Sequence, residues 1–444
     1  MTGTPHVLII GGGIGGLCLA QGLRKAGLGF AVYERGPARL DDRDDADGDD
    51  HRVRIGPQGA RALYACLPPE AWEEFTAGAE GGGRSAFVTE RLRELLVLPQ
   101  PAAGAAPQHS THSTSARALR RILLTGLDGH LVHYDREFTR YEHTEGDGAG
   151  GMGGGIRAHF ADGSTAYGDL LAGADGADSR VRGQLLPHAV RADTLVLAVT
   201  GSLELTGARA DELPEPLTAA STSVLTPRSD AMFCTARHVT AAGWRGGFAR
   251  SAGAAADLGL YAGGPLLART RSHLVWTYVA KAATFPREVA HLDGKALRAV
   301  VAERIADWHP ALVRLVAEAD PETVVPVRML ALAPVDAWTP GPVTLLGDAI
   351  HGMPALGGSG ATTALRDARL LSRLLARRRD PVRAIAAYES EMRAYGAEAV
   401  MRSLRTTRSA ASDNRLARTL FRGVLRTAAH SGWLRDAVFR DTGE

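Results

Sequence analysis

Three glycine-rich stretches carry the residues of this chain whose types and spacing suit chemistry. The first is Gly11-Gly12-Gly13-Ile14-Gly15-Gly16, which fits G-x-G-x-x-G at Gly11, Gly13 and Gly16. The first glycine of such a motif permits a tight turn. The second lets the backbone approach a pyrophosphate, and the third lets a helix lie close to a strand. The helix that follows offers unpaired N–H groups and the positive end of its dipole to phosphate. Glu34, with Arg35 beside it, stands where a carboxylate can accept hydrogen bonds from ribose hydroxyls. The stretch therefore points to a bound dinucleotide; a glycine turn without ligand is the bland alternative.

The second stretch is Gly173-Ala174-Asp175-Gly176-Ala177-Asp178-Ser179-Arg180-Val181-Arg182. The third runs Gly347-Asp348-Ala349-Ile350-His351-Gly352-Met353-Pro354, then Gly357-Gly358-Ser359-Gly360, then Ala364-Leu365-Arg366-Asp367-Ala368. Alone, an Asp-Gly after a strand is a turn, and a Gly-Asp before a helix is a cap. The three in this order ask for more.

The flanking pattern supplies elements to position them. Val7 to Ile10 is a continuously apolar run, as expected of a strand buried on both faces. Leu17, Ala20 and Leu23 follow at helical spacing, Gly27 stops the helix, and Phe30 to Glu34 reads as a second strand. This is a β-α-β unit. An arginine-rich helix is expected from Arg117 to Leu127. Ile156 to Phe160 and Ser164 to Tyr167 flank the turn Asp162-Gly163, and Leu170 to Ala174 runs into the second motif. Between about 190 and 290, Leu195 to Leu205, Ala231 to Arg237 and His273 to Ala280 read as strands of an antiparallel sheet. A helix is expected from Gly294 to Trp308. Val343 to Leu346 is a buried strand leading to the third motif and a helix from about 361 to 377. Asp41 to Asp50, with seven aspartates, reads as a solvated loop, and the glycine-rich stretch Glu145 to Gly155 as a hairpin loop. Residues 380 to 440 look helical. From 401 to 444 there are nine arginines against four acids, expected as an amphipathic packing helix with its arginines in water.

Composition excludes several classes. The chain has 444 residues, 45% hydrophobic and 23% charged, as in ordinary globular proteins of two to three domains. The formal net charge of +2 does not argue for nucleic acid. Its three cysteines, Cys18, Cys66 and Cys234, are odd in number and lack metal-ligand spacing, so neither a disulfide framework nor a metal site is expected. No stretch has the apolar length of a membrane span. A cytoplasmic location is the expectation.

Together the three motifs resemble one family closely over about residues 6 to 400: the FAD-dependent aromatic hydroxylases, single-component flavoprotein monooxygenases similar to para-hydroxybenzoate hydroxylase. The resemblance implies an α/β chain with a Rossmann-like FAD-binding domain, an inserted antiparallel-sheet substrate domain and a C-terminal helical segment. Residues 1–75, 112–185 and 331–400 would form the first, 76–111 and 186–330 the second, and 401–444 the third. Gly11, Gly13, Ile14, Gly15 and Gly16 would hold the FAD pyrophosphate, with Glu34 and Arg35 at the adenosine ribose. Arg117 would contact FAD, Asp175 would serve both FAD and the nicotinamide cofactor, and Asp348 would bond the ribityl chain. Pro354, Gly357, Gly358 and Gly360 would line the flavin ring, and the helix start at Ala361 and Thr362 would face its pyrimidine edge. The family often has an asparagine where this chain has Thr362-Thr363. His351 is read as a packing or hydrogen-bonding residue rather than a general base.

The implied chemistry belongs mostly to the cofactor. NADH or NADPH reduces FAD, O2 gives a flavin C4a-hydroperoxide, and one oxygen atom enters an aromatic or other electron-rich small molecule. Such an enzyme suits natural-product tailoring in a GC-rich bacterium. No second G-x-G-x-x-G follows a strand, so the nicotinamide would visit transiently. At period two, Leu274, Trp276, Tyr278 and Ala280 share one strand face, and Ala231, Phe233, Thr235 and Arg237 share another. Phe233, Trp276 and Tyr278 are the pocket candidates; ordinary core is the competing role. A flavin-dependent reductase of the geranylgeranyl reductase-like type, an epoxidase on the same scaffold and a non-catalytic flavin binder are the alternatives. The oligomeric state is not legible in the sequence.

Overall fold

The computed structural model describes residues 5–38, 52–81, 84–98, 106–127, 129–144, 154–206, 212–219, 221–237, 273–354, 356 and 358–439. The aspartate run, most of the Glu145 to Gly155 stretch and Gly357 lie outside the described residues.

A five-stranded parallel sheet forms the first layer. Its strand order is Val343–Leu345, Leu170–Gly173, His6–Ile10, Gly29–Tyr33, Val132–His133, with every pairing parallel. Helix Ile14–Lys25 connects the first two strands in the chain and packs beside helix Gly360–Arg377. Val7, Leu8, Ile9 and Ile10 are all but fully buried. Burial on both faces explains why this strand is apolar without alternation.

A seven-stranded sheet forms the second layer, in the order Val325–Leu332, Arg191–Glu204, His273–Lys281, Asp230–Arg237, Ser221–Leu225, Ser85–Thr89, Glu94–Leu98. One junction departs from the expected antiparallel pattern: Ser221–Leu225 pairs parallel to Ser85–Thr89. The partner strand comes from far earlier in the chain, so no hairpin fixes its direction.

One face of this sheet is covered by two helices, Gly294–Arg304 and Pro310–Ala317. A single helix to Trp308 was the expectation. Pro310 lacks an N–H and its ring disfavours a helical residue before it. His309 instead takes an extended conformation and caps the second helix. Similarly, the arginine-rich helix ends at Leu123 rather than Leu127.

The C-terminal segment is three helices, Pro381–Ala410, Arg415–His430 and Gly432–Phe439. The expected solvation of the arginines does not hold for the second. Arg418 is buried, and its guanidinium donates to the carbonyls of Thr226, Ser409, Ala410 and Asp230. Arg422 lies 3.3 Å from Glu90. Among the described residues, no helix is long and apolar enough to cross a membrane.

The long helix also carries a buried carboxylate. Glu389 is 3% exposed and accepts the Thr344 hydroxyl at 2.8 Å. Burial pushes its pKa up to about 7, against the opposing pull of Thr344 and Arg393. The folded state therefore holds a proton that the unfolded chain releases at lower pH. Stability should fall as pH rises from the ordinary glutamate range through about 7, by on the order of 3 kcal/mol from this group. Glu389→Gln should flatten that slope, as read by urea midpoints at a series of pH values. An unchanged slope refutes the assignment.

Candidate cofactor site

The carboxyl ends of the parallel strands open on a cleft of about 230 Å³. Gly11 and Gly13 of the first motif, Glu34 and Arg35 of the second strand, and Asp175 of the second motif all line it. Ligands of open α/β sheets sit at such strand ends.

The glycine spacing is explained by contacts. Gly11 has φ +108°, and a Cβ there would lie 2.3 Å from the Ala174 carbonyl oxygen. A Cβ on Gly16 would lie 2.0 Å from the Gly11 carbonyl oxygen. These two glycines serve the protein's own packing. Gly13 differs: a Cβ there meets nothing within 4 Å. The glycine at 13 keeps open space in front of the helix, where a pyrophosphate would sit.

Glu34 Oε2 accepts the Gly12 N–H at 2.6 Å, and Oε1 accepts the Gly36 N–H at 2.8 Å. The carboxylate thus fixes the glycine turn while facing the cleft. Asp175 accepts the Ser179 hydroxyl at 2.6 Å and the Arg180 N–H at 2.8 Å. Its carboxylate caps the turn into helix Arg180–Leu185. Arg180 in turn donates to the Phe138 carbonyl at 2.8 Å. Arg117 stands in the first turn of helix Ala116–Leu123 and is not among the cleft-lining residues. Its neighbour Arg120, which the sequence did not single out, donates from Nε to the Gly12 carbonyl at 3.1 Å.

The first and third motifs meet. A Cβ on Gly15 would lie 3.3 Å from both Leu346 and Ala364, so helices Ile14–Lys25 and Gly360–Arg377 converge beside the Gly347-Asp348 turn. Asp348 is exposed, with Oδ1 close to Gly360 at the start of the second of these helices. Neither helix has a side chain capping its first N–H groups. Helices Ala116–Leu123, Arg180–Leu185, Gly294–Arg304 and Pro381–Ala410 all do. These two long helices thus begin uncapped and close to one another, whereas the uncapped Pro57–Cys66 and Pro69–Gly78 are shorter helices with proline in their first turn; an uncapped, positive helix end suits an anionic ligand.

Further residues hold the third motif in place. Arg182 is buried and donates to the carbonyls of Ala349, Ala177 and Ala189 at 2.9, 2.8 and 3.2 Å, tying the second motif to the third. Asp367 is fully buried; it accepts the Gly347 N–H at 2.8 Å and the Tyr395 hydroxyl. His351 Nε2 lies 3.3 Å from Asp367, and its ring fills the space a Gly396 side chain would take. This buried position, beside Asp367, is that of a packing or hydrogen-bonding residue. The Ser403 hydroxyl lies 2.5 Å from the Pro354 carbonyl oxygen and 2.7 Å from that of Leu356. Thr362, in the family's frequent asparagine region, accepts the Gly56 N–H at 2.9 Å. Asp367 was visible in the motif as a helical residue only; burial gives it its role.

Two pocket candidates are corrected. Trp276 and Tyr278 lie on the sheet face packed against helices Gly294–Arg304 and Pro310–Ala317. The Tyr278 hydroxyl donates to Asp230 at 2.9 Å and accepts from Arg304 at 2.9 Å. Both residues are core, because their side of the strand faces the helical layer. Phe233 is on the opposite face, clustered with Val279, Met329 and Leu356 beside the third motif.

A family model described as an FAD binding domain matches residues 136–403. The chain belongs to the FAD-dependent aromatic hydroxylase family, an enzyme family whose members are FAD-dependent monooxygenases. A model for an NAD(P)-binding Rossmann-like domain matches residues 9–65, over the first motif. The chain is similar to a solved structure from Photorhabdus luminescens subsp. laumondii described as an FAD-containing monooxygenase. That match has 35% identity and a TM-score of 0.76, covering 92% of this chain and 99% of that one. It is 28% identical to the dual O-methyltransferase/FAD-dependent monooxygenase elcB of Phaeosphaeria nodorum, over 89% of this chain and 45% of the relative. The FAD-dependent urate hydroxylase of Klebsiella oxytoca is 26% identical over 86% of this chain and 85% of its own. The chain spans about half the length of the first curated relatives it matches.

One substitution separates ligand space from packing. Gly13→Val adds a Cβ that meets nothing within 4 Å, so the melting temperature should change little. FAD affinity should nonetheless fall by about ten-fold or more, since the branched side chain fills the approach to the backbone. Titration of the apoprotein with FAD, followed by flavin fluorescence, measures it. Unaltered affinity removes Gly13 from the cradle.

Proposed function

We propose that this chain is an FAD-dependent monooxygenase that consumes NADH or NADPH and inserts one atom of O2 into an aromatic or other electron-rich small molecule. The observation that carries the reading is that the uncapped helices Ile14–Lys25 and Gly360–Arg377 begin beside each other, with open space before Gly13 at the first and the exposed Asp348 at the second. When bound, FAD supplies the oxygen-transfer chemistry. In this reading, Gly13 and the N–H groups that follow it hold the pyrophosphate, and Glu34 and Arg35 hold the adenosine end. Asp348 binds the ribityl hydroxyls. Pro354, Gly358, Gly360, Ala361 and Thr362 frame the flavin. Residues 1–75, 112–185 and 331–400 carry the cofactor, and 76–111 with 186–330 the substrate. Phe233, with Val279 and Leu356, forms an apolar wall that keeps water from the reacting oxygen. The nicotinamide visits transiently near Asp175, because the one dinucleotide fingerprint is assigned to FAD. Names such as urate hydroxylase among the relatives support an aromatic substrate.

Turnover under 18O2 with a panel of phenols and nitrogen heterocycles tests this. The accepted substrate should raise NAD(P)H oxidation and gain one labelled oxygen. A reduced or desaturated product without label promotes the reductase instead.

A further inference from the structure

The helix Arg415–His430 is turned partly inside out. A helix docked on a protein body usually buries its apolar stripe and leaves charge in water. Here Arg418 and Arg422 point toward the body, beside Leu425 and Ala428 on strand Glu94–Leu98. Leu416, Leu420 and Val424, spaced four apart, share the outward side and are 71%, 61% and 38% exposed. Phe421 and, in the next helix, Trp433 are exposed as well, Trp433 by 73%. Single exposed leucines need no explanation; a row of them on one helix marks a contact surface.

The surroundings select the occupant. Arg415 and Arg426 are exposed along one edge of the stripe, and the helix itself carries no acidic residue. A second copy would bring like charges together. Leucine and phenylalanine edged by arginine suit the boundary of an anionic bilayer. The helix has 16 residues and its other face is docked on the protein, so it lies along a surface rather than spanning one. We propose that the outward face of Arg415–His430 seats the folded protein on an anionic lipid surface.

Co-sedimentation of the FAD-loaded full chain with vesicles tests this. One set is phosphatidylcholine alone, and the other contains equal parts phosphatidylcholine and phosphatidylglycerol. The wild type should pellet with the anionic vesicles and not with the neutral ones, and salt should release it. Leu416→Gln with Leu420→Gln should lower the vesicle partition constant about ten-fold or more, with flavin content unchanged. Arg415→Gln with Arg426→Gln should weaken binding to anionic vesicles at low salt. Wild type remaining in the supernatant, or a leucine variant binding as well as wild type, overturns the proposal. A concentration-dependent dimer lost in the leucine variant, without vesicle binding, also overturns it and assigns the face to a second copy.

Discussion

Gly16→Ala is expected to yield a chain that purifies without flavin and unfolds at a markedly lower urea concentration. Ordinarily, alanine in place of glycine inside a helix gains about 1 kcal/mol. Here the added methyl group would stand 2.0 Å from the Gly11 carbonyl oxygen and 3.2 Å from Ala174 Cβ. The nearest obstacle is backbone and cannot rotate away. The helix must retreat from the strand, at a cost of about 1–3 kcal/mol or more. The retreat also moves the uncapped N–H groups off the place a pyrophosphate would occupy, so FAD affinity falls together with stability. This pairing separates it from Gly13→Val, where affinity should fall with little change in stability. Flavin absorbance per chain and a urea titration measure the two effects. Wild-type values in both would show that the helix does not need its close approach.

Asp367→Ala is expected to have an effect of at least the same size, from the opposite cause. Nothing clashes; instead partners are orphaned. The buried Gly347 N–H and the Tyr395 hydroxyl both donate to Asp367. Burial and the neighbouring Asp367 raise the Tyr395 pKa far above the usual tyrosine range, so its proton stays in place as a donor. Truncation leaves the buried Gly347 N–H and the half-buried Tyr395 hydroxyl without this acceptor, at about 1–3 kcal/mol for a fully buried unmet partner. The loss falls on the turn that carries Asp348, so FAD affinity should drop as well. Asp367→Asn keeps an acceptor oxygen and should recover part of both losses. Stability within about 0.5 kcal/mol of wild type for the alanine variant would remove this cluster from the account.

Local pattern made much of the cofactor layer legible. Val7 to Ile10 is apolar at every position because it is buried on both faces, and Gly27 ends the helix as expected. The seven-stranded sheet was harder. Both faces of His273–Lys281 are buried, so alternation separates two sets of side chains without saying which set faces the third motif. Phe233 and Trp276 therefore looked alike in the sequence, and only the helices at 294–317 distinguish them. Arg120, Arg182, Asp367 and Ser403 went unassigned for a related reason. Their partners are backbone atoms of distant segments, which no spacing rule reveals. Arg418 misled in the other direction, since composition counts a charge without showing which way it points.

The sheet order has a bearing on synthesis. Strand Ser85–Thr89 finds one neighbour in Glu94–Leu98 and its other in Ser221–Leu225. Leu170–Gly173 has an open edge until Val343–Leu345 arrives. A growing chain that has left the ribosome up to residue 200 thus owns two unfinished sheets, each waiting for a strand made much later. Contacts of such long sequence separation form slowly, and exposed strand edges invite pairing with other chains meanwhile. The seven-stranded sheet is complete once Val325–Leu332 has emerged, and the parallel sheet only with Val343–Leu345, so the cofactor layer keeps an open edge longest during synthesis.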